Sequence, residues 1–263
     1  MNLFEAIVLG LIQGLTEFLP VSSSGHLELG KYLFGIDHEA NFYFSIAVHG
    51  ATVLSTLFVL WKEIAGLFKG LIAFRLNDET RYIIKLFISM IPVGIAGFFM
   101  SEIAEKYFAG NMISLGIEFF ISALFLGLTL VLKPREREMT YLDSFIIGLA
   151  QALAVLPGIS RSGATISTGM MLGNKKSDIA KFSFLMVLIP IIGANFLEMI
   201  SGDFTKEGTS FFVISVGFLT AFVSGYLACR WMISIVKKGS LKWFALYCIL
   251  VGIYSLLLGL HVF

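Results

Sequence analysis

Charge is what this sequence has least of. Only 14% of its 263 residues are Asp, Glu, Lys or Arg, against roughly 25% in soluble domains, while 57% are hydrophobic. A chain this poor in solvated side chains cannot present a water-facing surface all round, which excludes a soluble enzyme. No sign of charge is in excess either. Lys and Arg total 19 and Asp and Glu 18, for a net charge of +1, so there is no electrostatic footprint for a nucleic acid partner. Cysteine is nearly absent: Cys229 and Cys248 both lie in apolar stretches, where a lone thiol behaves as a small buried hydrophobe rather than as a disulfide half or metal ligand. The N-terminus has no basic segment and no small-residue cleavage site around its first apolar stretch, so it reads as mature protein from Met1 and not as a signal peptide.

Long hydrophobic runs are what the chain does have. Apolar stretches at 42–61, 83–100, 113–132, 179–200, 211–229 and 243–261 are each long enough to cross a hydrocarbon core of roughly 30 Å. Two further apolar regions, 1–35 and 142–173, are interrupted by Pro20-Val-Ser-Ser-Ser-Gly25 and by Pro157-Gly-Ile-Ser-Arg-Ser-Gly163, and clustered Pro, Gly and Ser break helices. The arms after the breaks, 24–35 and 161–173, reach only about 18 to 20 Å at 1.5 Å per residue, too short to cross.

The two broken regions are copies of one another. Gly10-Leu-Ile-Gln13, Pro20 and Ser22-Ser23-Ser24-Gly25 reappear as Gly148-Leu-Ala-Gln151, Pro157 and Ser160-Arg161-Ser162-Gly163, at an offset of 138 residues with one residue deleted before the proline and regained after it. The expected fold is an all-α polytopic membrane protein with six transmembrane helices and two re-entrant helical hairpins, in a single integral membrane domain. Its repeats would run 1–132 and 133–263 in inverted topology. One sidedness satisfies every loop. Lys62, Lys69, Arg75, Arg81, Lys85, Lys133, Arg135, Arg137, Lys175, Lys176, Lys181, Arg230, Lys237, Lys238 and Lys242 fall on the cytoplasmic side, which takes 15 of the 19 basic residues, as the positive-inside rule requires. Lys31, Lys106 and Lys206 stay outside, and Arg161 sits in the second break.

Hairpin tips dipping from opposite faces meet within the bilayer. Irregular backbone survives there only if buried in protein or lining a wet cavity, and the capped N-termini after each break point positive dipole ends into that cavity, which favours an anion. Gln13 and Glu17 share one helix face, and Ser22, Ser23, Ser24, Gly25 and His26 follow. The second break adds Ser160, Arg161, Ser162 and Thr165. Charges at this depth are costly without a partner or role, so Glu17 and Arg161 are natural partners. Arg suits phosphate oxygens, Ser or His can attack phosphorus, and Glu can take a proton or hold a divalent cation, a set that describes phosphoryl chemistry better than a structural strut.

These motifs resemble the two signature motifs of the undecaprenyl-diphosphate phosphatase family linked to bacitracin resistance, over the whole chain. The resemblance implies hydrolysis of a C55 isoprenoid diphosphate to the monophosphate carrier of bacterial cell-wall synthesis, with a divalent cation, Mg²⁺ or Ca²⁺, as cofactor. It implies functional roles for Glu17, Ser23, His26 and Arg161. Gln13 stands where many members carry Glu, which argues against an acid or base there, although its amide can still ligate a metal alongside Glu17. Arg161, the hairpin N–H groups, Ser160, Ser162 and Thr165 would hold the diphosphate. Ser23 or His26 would attack, the choice between them being open. The partners are then a polyprenyl diphosphate and membrane lipids, with room left for a homodimer. The location is the bacterial plasma membrane, with the cavity opening externally and a lateral apolar passage for the tail. The rival reading is a transporter or flippase of an anionic lipid or small anion on the same fold. His49 is expected to make an interhelical hydrogen bond, Glu118 and Glu198 to sit in buried pairs or interfaces, and Gly94-Ile-Ala-Gly97 to allow close helix packing.

Overall fold

The computed structural model describes residues 1–36, 42–108, 110–131, 135–201 and 210–260, with side chains for all of these except 42, 100–108 and 198–201. Lys106, Lys133 and Lys206 of the charge assignment, and the carboxyl of Glu198, lie outside the described residues. Among the described residues the chain is helical throughout, with one isolated bridge between Arg137 and Asn174 and no strand. In order run α1 (Leu3–Phe18), α2 (Ser23–Phe34), α3 (Phe42–Val59), α4 (Trp61–Ile72), α5 (Asp78–Phe108), α6 (Met112–Val131), α7 (Tyr141–Leu153), α8 (Arg161–Met171), α9 (Lys176–Met186), α10 (Leu188–Ser201), α11 (Phe211–Lys238) and α12 (Lys242–Gly259).

Five of the expected spans are long and apolar enough to cross a membrane: Asp78–Phe99, α6, α9 with α10 as Lys176–Leu197, α11 and α12. The sixth is reached with α3 and α4 taken together, two helices that meet at a 72° bend. The interruption between α9 and α10 at Val187 has a covalent cause, because Pro190 lacks the N–H that would bond the Met186 carbonyl one turn back. The protein is thus an all-helical, multi-pass membrane protein, and its two broken regions are the helix pairs α1–α2 and α7–α8.

Both pairs are built with the same local devices. Each first arm opens on a capping box. The Asn2 side chain accepts from the Glu5 N–H at 2.9 Å and the Glu5 carboxylate from the Asn2 N–H at 2.8 Å, while Thr140 and Asp143 repeat the exchange at 3.1 and 2.7 Å. Each second arm opens on a serine cap: Ser22 Oγ accepts from the Gly25 N–H at 3.2 Å and Ser160 Oγ from the Gly163 N–H at 3.0 Å. The second arms have 12 and 11 residues, too few to cross at 1.5 Å each.

Packing is reciprocal. The first arm α1 lies along α11, and its counterpart α7 lies along α5. Glycine makes these approaches possible. A side chain at Gly10 would strike the backbone of Gly217, one at Gly14 the segment Ala221 to Gly225, and one at Gly148 the backbone of Ser89. The pair α6 and α12 closes in the same way through Gly116 and Gly252. The expectation for Gly94 and Gly97 fails: nothing lies within 4 Å of where either side chain would begin. That face of α5 has no neighbour within the chain's described residues, and the close packing is made elsewhere.

The second hairpin is strapped at its mouth. Arg137 forks onto Asp143 with bonds of 2.6 and 2.7 Å, and its backbone pairs with that on either side of Asn174, through Gly173 at 2.9 Å and Lys175 at 3.0 Å. Desolvation alone would raise the Asp143 pKa, but the Arg137 and Thr140 donors outweigh it and hold the carboxyl below its ordinary value of 3.8. A depressed carboxylate stabilises the fold above its unfolded pKa and loses that contribution as pH falls through the folded one. Asp143→Ala should therefore lower stability by about 2 kcal/mol at neutral pH, since it removes a cap and a charge-assisted fork. Thermal unfolding in detergent measures this, and the gap between wild type and variant should be flat down to about pH 4 and close only below it.

Candidate active site

The two breaks touch. Glu17, in the last turn of α1, receives Nη2 of Arg161, the first residue of α8, at 2.5 Å on its Oε1. Two further contacts tie the same junction: Ser162 donates to the Leu19 carbonyl at 3.1 Å, and the Gly158 N–H to Ser24 Oγ at 3.2 Å. The second oxygen of Glu17 accepts from Ser23 Oγ at 2.7 Å and from Gln13 Nε2 at 3.0 Å. Glu17 is 8% exposed and Gln13 fully buried, and three protein donors, from Arg161, Ser23 and Gln13, converge on this carboxylate.

The backbone is shaped for this convergence. Ser22 has φ 69°, a left-handed conformation that costs a non-glycine residue of order 1 kcal/mol or more and tends to be kept at functional sites. It turns the chain back at the tip, so that Ser23 opens α2 facing the Glu17 it has just left. On the other side Gly158 has φ 106°, and a side chain there would collide with Glu118. The N–H groups of Ser23 and Ser24 and of Arg161 and Ser162 open two helices and have no intraprotein acceptor among the described residues. Two sets of free donors and two positive dipole ends therefore start next to the Glu17–Arg161 contact, an arrangement of the kind that favours an anion.

Arg161 is held from a second direction by the Ser183 carbonyl, 3.4 Å from Nη1. The hydroxyl of Thr165 is engaged with the Arg161 carbonyl at 2.8 Å and with Ser183 Oγ at 2.6 Å. Ser22, Ser24, Ser160, Ser162 and Thr165 thus all spend hydroxyl contacts on caps and cross-links, while Ser23 alone sets its hydroxyl on the carboxylate. Gly25 packs against Leu115 and Phe119.

His26 is turned the other way. Its Nδ1 is 2.7 Å from the Ser22 carbonyl, which can only accept, so Nδ1 carries the proton. Its Nε2 then accepts from the Tyr247 hydroxyl at 2.7 Å, and Tyr247 stacks on the ring while Phe119 meets it edge-on. Tyr247 comes from α12, 221 residues away. No local pattern announces it, and the same holds for Ser183 and for Ser122, whose Oγ accepts from the Ser160 N–H at 2.8 Å.

A narrow cleft of about 10 Å³ adjoins Glu17 and Arg161, room for roughly one water. Thr52 and Thr56 of α3 add polar groups to its lining, and Phe18, Val53, Phe184, Val187, Leu188 and Ile191 apolar ones. Its walls are α3 on one side and the α9–α10 junction on the other.

Among the described residues no three His, Cys, Asp or Glu side chains form a metal-holding group. A cation here would have the Glu17 carboxylate and the Gln13 Oε1, which is buried and without a hydrogen-bond partner. That orphaned oxygen next to a carboxylate fits a hydrated divalent ion that completes its shell with phosphate oxygens and water.

The residues set apart by their burial fall as follows. His49 has its Nδ1 2.8 Å from the Ser45 carbonyl, one turn back in its own helix, while its imidazole also acts electrostatically on Glu17 of α1, so its hydrogen bond is local and its link across helices is through charge. Glu118 is at an interface, 2% exposed against Gly158, yet it has no pair: neither oxygen has a hydrogen-bond partner among the described residues. Both cysteines are buried and free, with Cys248 Sγ 3.8 Å from the Pro20 carbonyl.

The whole chain can be placed by comparison. A family profile described as bacitracin resistance protein BacA matches residues 6–254. A protein named undecaprenyl-diphosphatase from Bacteroides fragilis is 52% identical over 263 residues, covering 98% of this chain and 99% of its own. One of the same name from Parabacteroides distasonis is 51% identical over 260 residues, covering 97% and 98%. Another, from Methanococcus vannielii, is 40% identical over 256 residues, covering 95% and 98%. With similarity that runs from end to end and includes both breaks, the chain belongs to the BacA family of bacitracin resistance proteins.

Proposed function

We propose that this chain hydrolyses undecaprenyl diphosphate to undecaprenyl phosphate and inorganic phosphate, which recycles the lipid carrier used in cell-wall synthesis. The observation that carries the reading is the chain of contacts Ser23–Glu17–Arg161 at the point where two helix N-termini converge. An anion carrier needs the donors and the cation but has no use for a hydroxyl bonded to a carboxylate. That contact is what a nucleophile and its base require.

The terminal phosphate sits among the free N–H groups of Ser23, Ser24, Arg161 and Ser162, with the Arg161 guanidinium beside it. These fixed dipoles and charge meet the negative charge that spreads over the phosphoryl oxygens in the transition state. Ser23 Oγ forms a bond to the terminal phosphorus as the bridging P–O bond breaks. Its proton passes to Glu17, and undecaprenyl phosphate leaves. Water then attacks the phosphoserine, inorganic phosphate departs, and the hydroxyl is restored. His26 is disfavoured as nucleophile because its only lone pair, on Nε2, is occupied by Tyr247. A divalent cation, Mg²⁺ or Ca²⁺, held by Glu17 and Gln13 Oε1, would supply charge neutralisation on the phosphate oxygens. Tyr247 acts through His26: it fixes the tautomer whose Nδ1–H clamps the Ser22 carbonyl, and so holds the left-handed turn that presents Ser23.

The cleft supports the lipid part of the reading. Its lining joins the acid and the guanidinium to Val187, Leu188 and Ile191 of the α9–α10 junction, and on that same junction Ile189 and Ile192 are 53% and 48% exposed. A tail entering sideways there never leaves apolar surroundings, which matters at about 0.8 kcal/mol per methylene. An inverted repeat is supported by the reciprocal packing of α1 on α11 and α7 on α5. The distribution of basic residues supports a plasma-membrane orientation with the cavity open to the external side.

Purified protein in detergent with a polyprenyl diphosphate should release inorganic phosphate when a divalent cation is added; no release with any divalent cation would return the chain to transport. Arg161→Ala should lower kcat by about 10² to 10³, the usual loss for one transition-state donor. Ser23→Ala should abolish turnover while His26→Ala retains a measurable rate, and the reverse order in a phosphate-release assay would make His26 the nucleophile. Tyr247→Phe should lower kcat by about tenfold and add nothing further in a His26→Ala background; additive losses in that cycle would detach Tyr247 from His26.

A further inference from the structure

The helix α4 follows the 72° bend at Leu60 and has no buried residue. Its apolar side chains recur at the helical period: Trp61, Ile64, Phe68, Leu71 and Ile72 lie within one face. Trp61 is 66% exposed, Phe68 61% and Ile72 69%. The chain carries the same character past the helix end, where Phe74 is 93% exposed in a left-handed conformation at φ 48°, which a bulky residue adopts rarely and only under constraint. Asn77 Nδ2 on the Gly70 carbonyl at 2.9 Å and Thr80 Oγ1 on the Arg75 carbonyl at 2.9 Å hold that turn.

The flank of this face is cationic. Lys62 and Lys69 are exposed and stand seven residues apart, hence side by side on the helix, and Arg75 follows in the turn. None of the three side chains has a hydrogen-bond or ion-pair partner among the described residues. The opposite edge is fastened to the protein: Glu63 pairs with Lys181 of α9 at 2.5 Å. Although desolvation works against ionisation of Glu63, that lysine holds its carboxyl below the usual range.

We propose that α4 and the turn after it form an interfacial anchor that selects anionic phospholipid headgroups. Trp61, Phe68, Ile72 and Phe74 enter the acyl boundary, and Lys62, Lys69 and Arg75 meet the phosphates. An amphipathic helix with flanking cations has this mode of insertion, and each cation near an anionic surface adds attraction. The anchor is joined to both walls of the cleft, to α3 through Leu60 and to α9 through the Glu63–Lys181 pair, so it fixes their depth in the bilayer. The inference does not depend on the reaction performed.

The test uses full-length protein with Trp231→Phe and Trp243→Phe, which leaves Trp61 as the only tryptophan. The protein is reconstituted into phosphatidylcholine vesicles containing brominated phosphatidylglycerol or, in parallel, the same mole fraction of brominated phosphatidylcholine. Stronger quenching by the anionic lipid is expected, with the preference reduced by about fivefold for each cation removed and erased in Lys62→Gln/Lys69→Gln/Arg75→Gln. The Lys62→Arg/Lys69→Arg variant should keep it. In the starting protein, high salt should collapse the preference by screening, a readout that needs no charge-removing variant to fold. Equal quenching by the two lipids, or a preference that survives both high salt and the triple substitution, would overturn the proposal. Weak quenching by either lipid would assign the face to a second copy of the chain, and would overturn it equally.

Discussion

A carboxylate and a guanidinium at membrane depth are each costly alone, about 2.5 to 3.5 kcal/mol on insertion scales, and neither Glu17 nor Arg161 has an ionic partner within its own hairpin. Their contact across the two breaks therefore settles where both hairpins stop. The Ser162 bond to the Leu19 carbonyl and the Gly158 bond to Ser24 add direction, because they join the backbone of one break to side chains of the other. The free amides at both helix starts are thus brought next to the acid and the guanidinium by the same contacts that join the hairpins.

The same economy explains why so many hydroxyls surround the site and so few are free. Irregular backbone in a membrane has no water to fall back on, so Ser22, Ser160, Ser162 and Thr165 are occupied in closing loops and helix ends. Only Ser23 is left with its hydroxyl on an acid. A buried hydroxyl-rich cluster would otherwise look like a multidentate ligand cradle, yet most of its groups are scaffolding around one hydroxyl–carboxylate contact and one guanidinium.

Much of this was legible in the sequence. Six spans and two broken pairs follow from run length and from Pro, Gly and Ser, because hydropathy and helix breaking are local properties. The pairing of Glu17 with Arg161 was legible too, since two opposite charges in hydrocarbon leave little choice. Tyr247, Ser122 and Ser183 were not. Each meets the site through a contact between distant helices, and nothing in the pattern of an apolar span marks the residue that turns inward. His49 and the Gly94–Gly97 run show the converse failure: a polar atom can be satisfied one turn back in its own helix, and a small residue can face lipid, so residue type alone does not name a neighbour. Run length marks the end of the apolar stretch at 61, but not the 72° turn that sets α4 off from α3.

Compliance is the last consequence, and it comes from one missing N–H. Pro190 splits the wall of the cleft at Val187, beside the residues that line its apolar end, whereas the hairpins opposite are cross-linked at three points. The interrupted wall and the cross-linked hairpins lie on opposite sides of the cleft, so the backbone is least braced where apolar side chains line it and most braced at Glu17, Ser23 and Arg161.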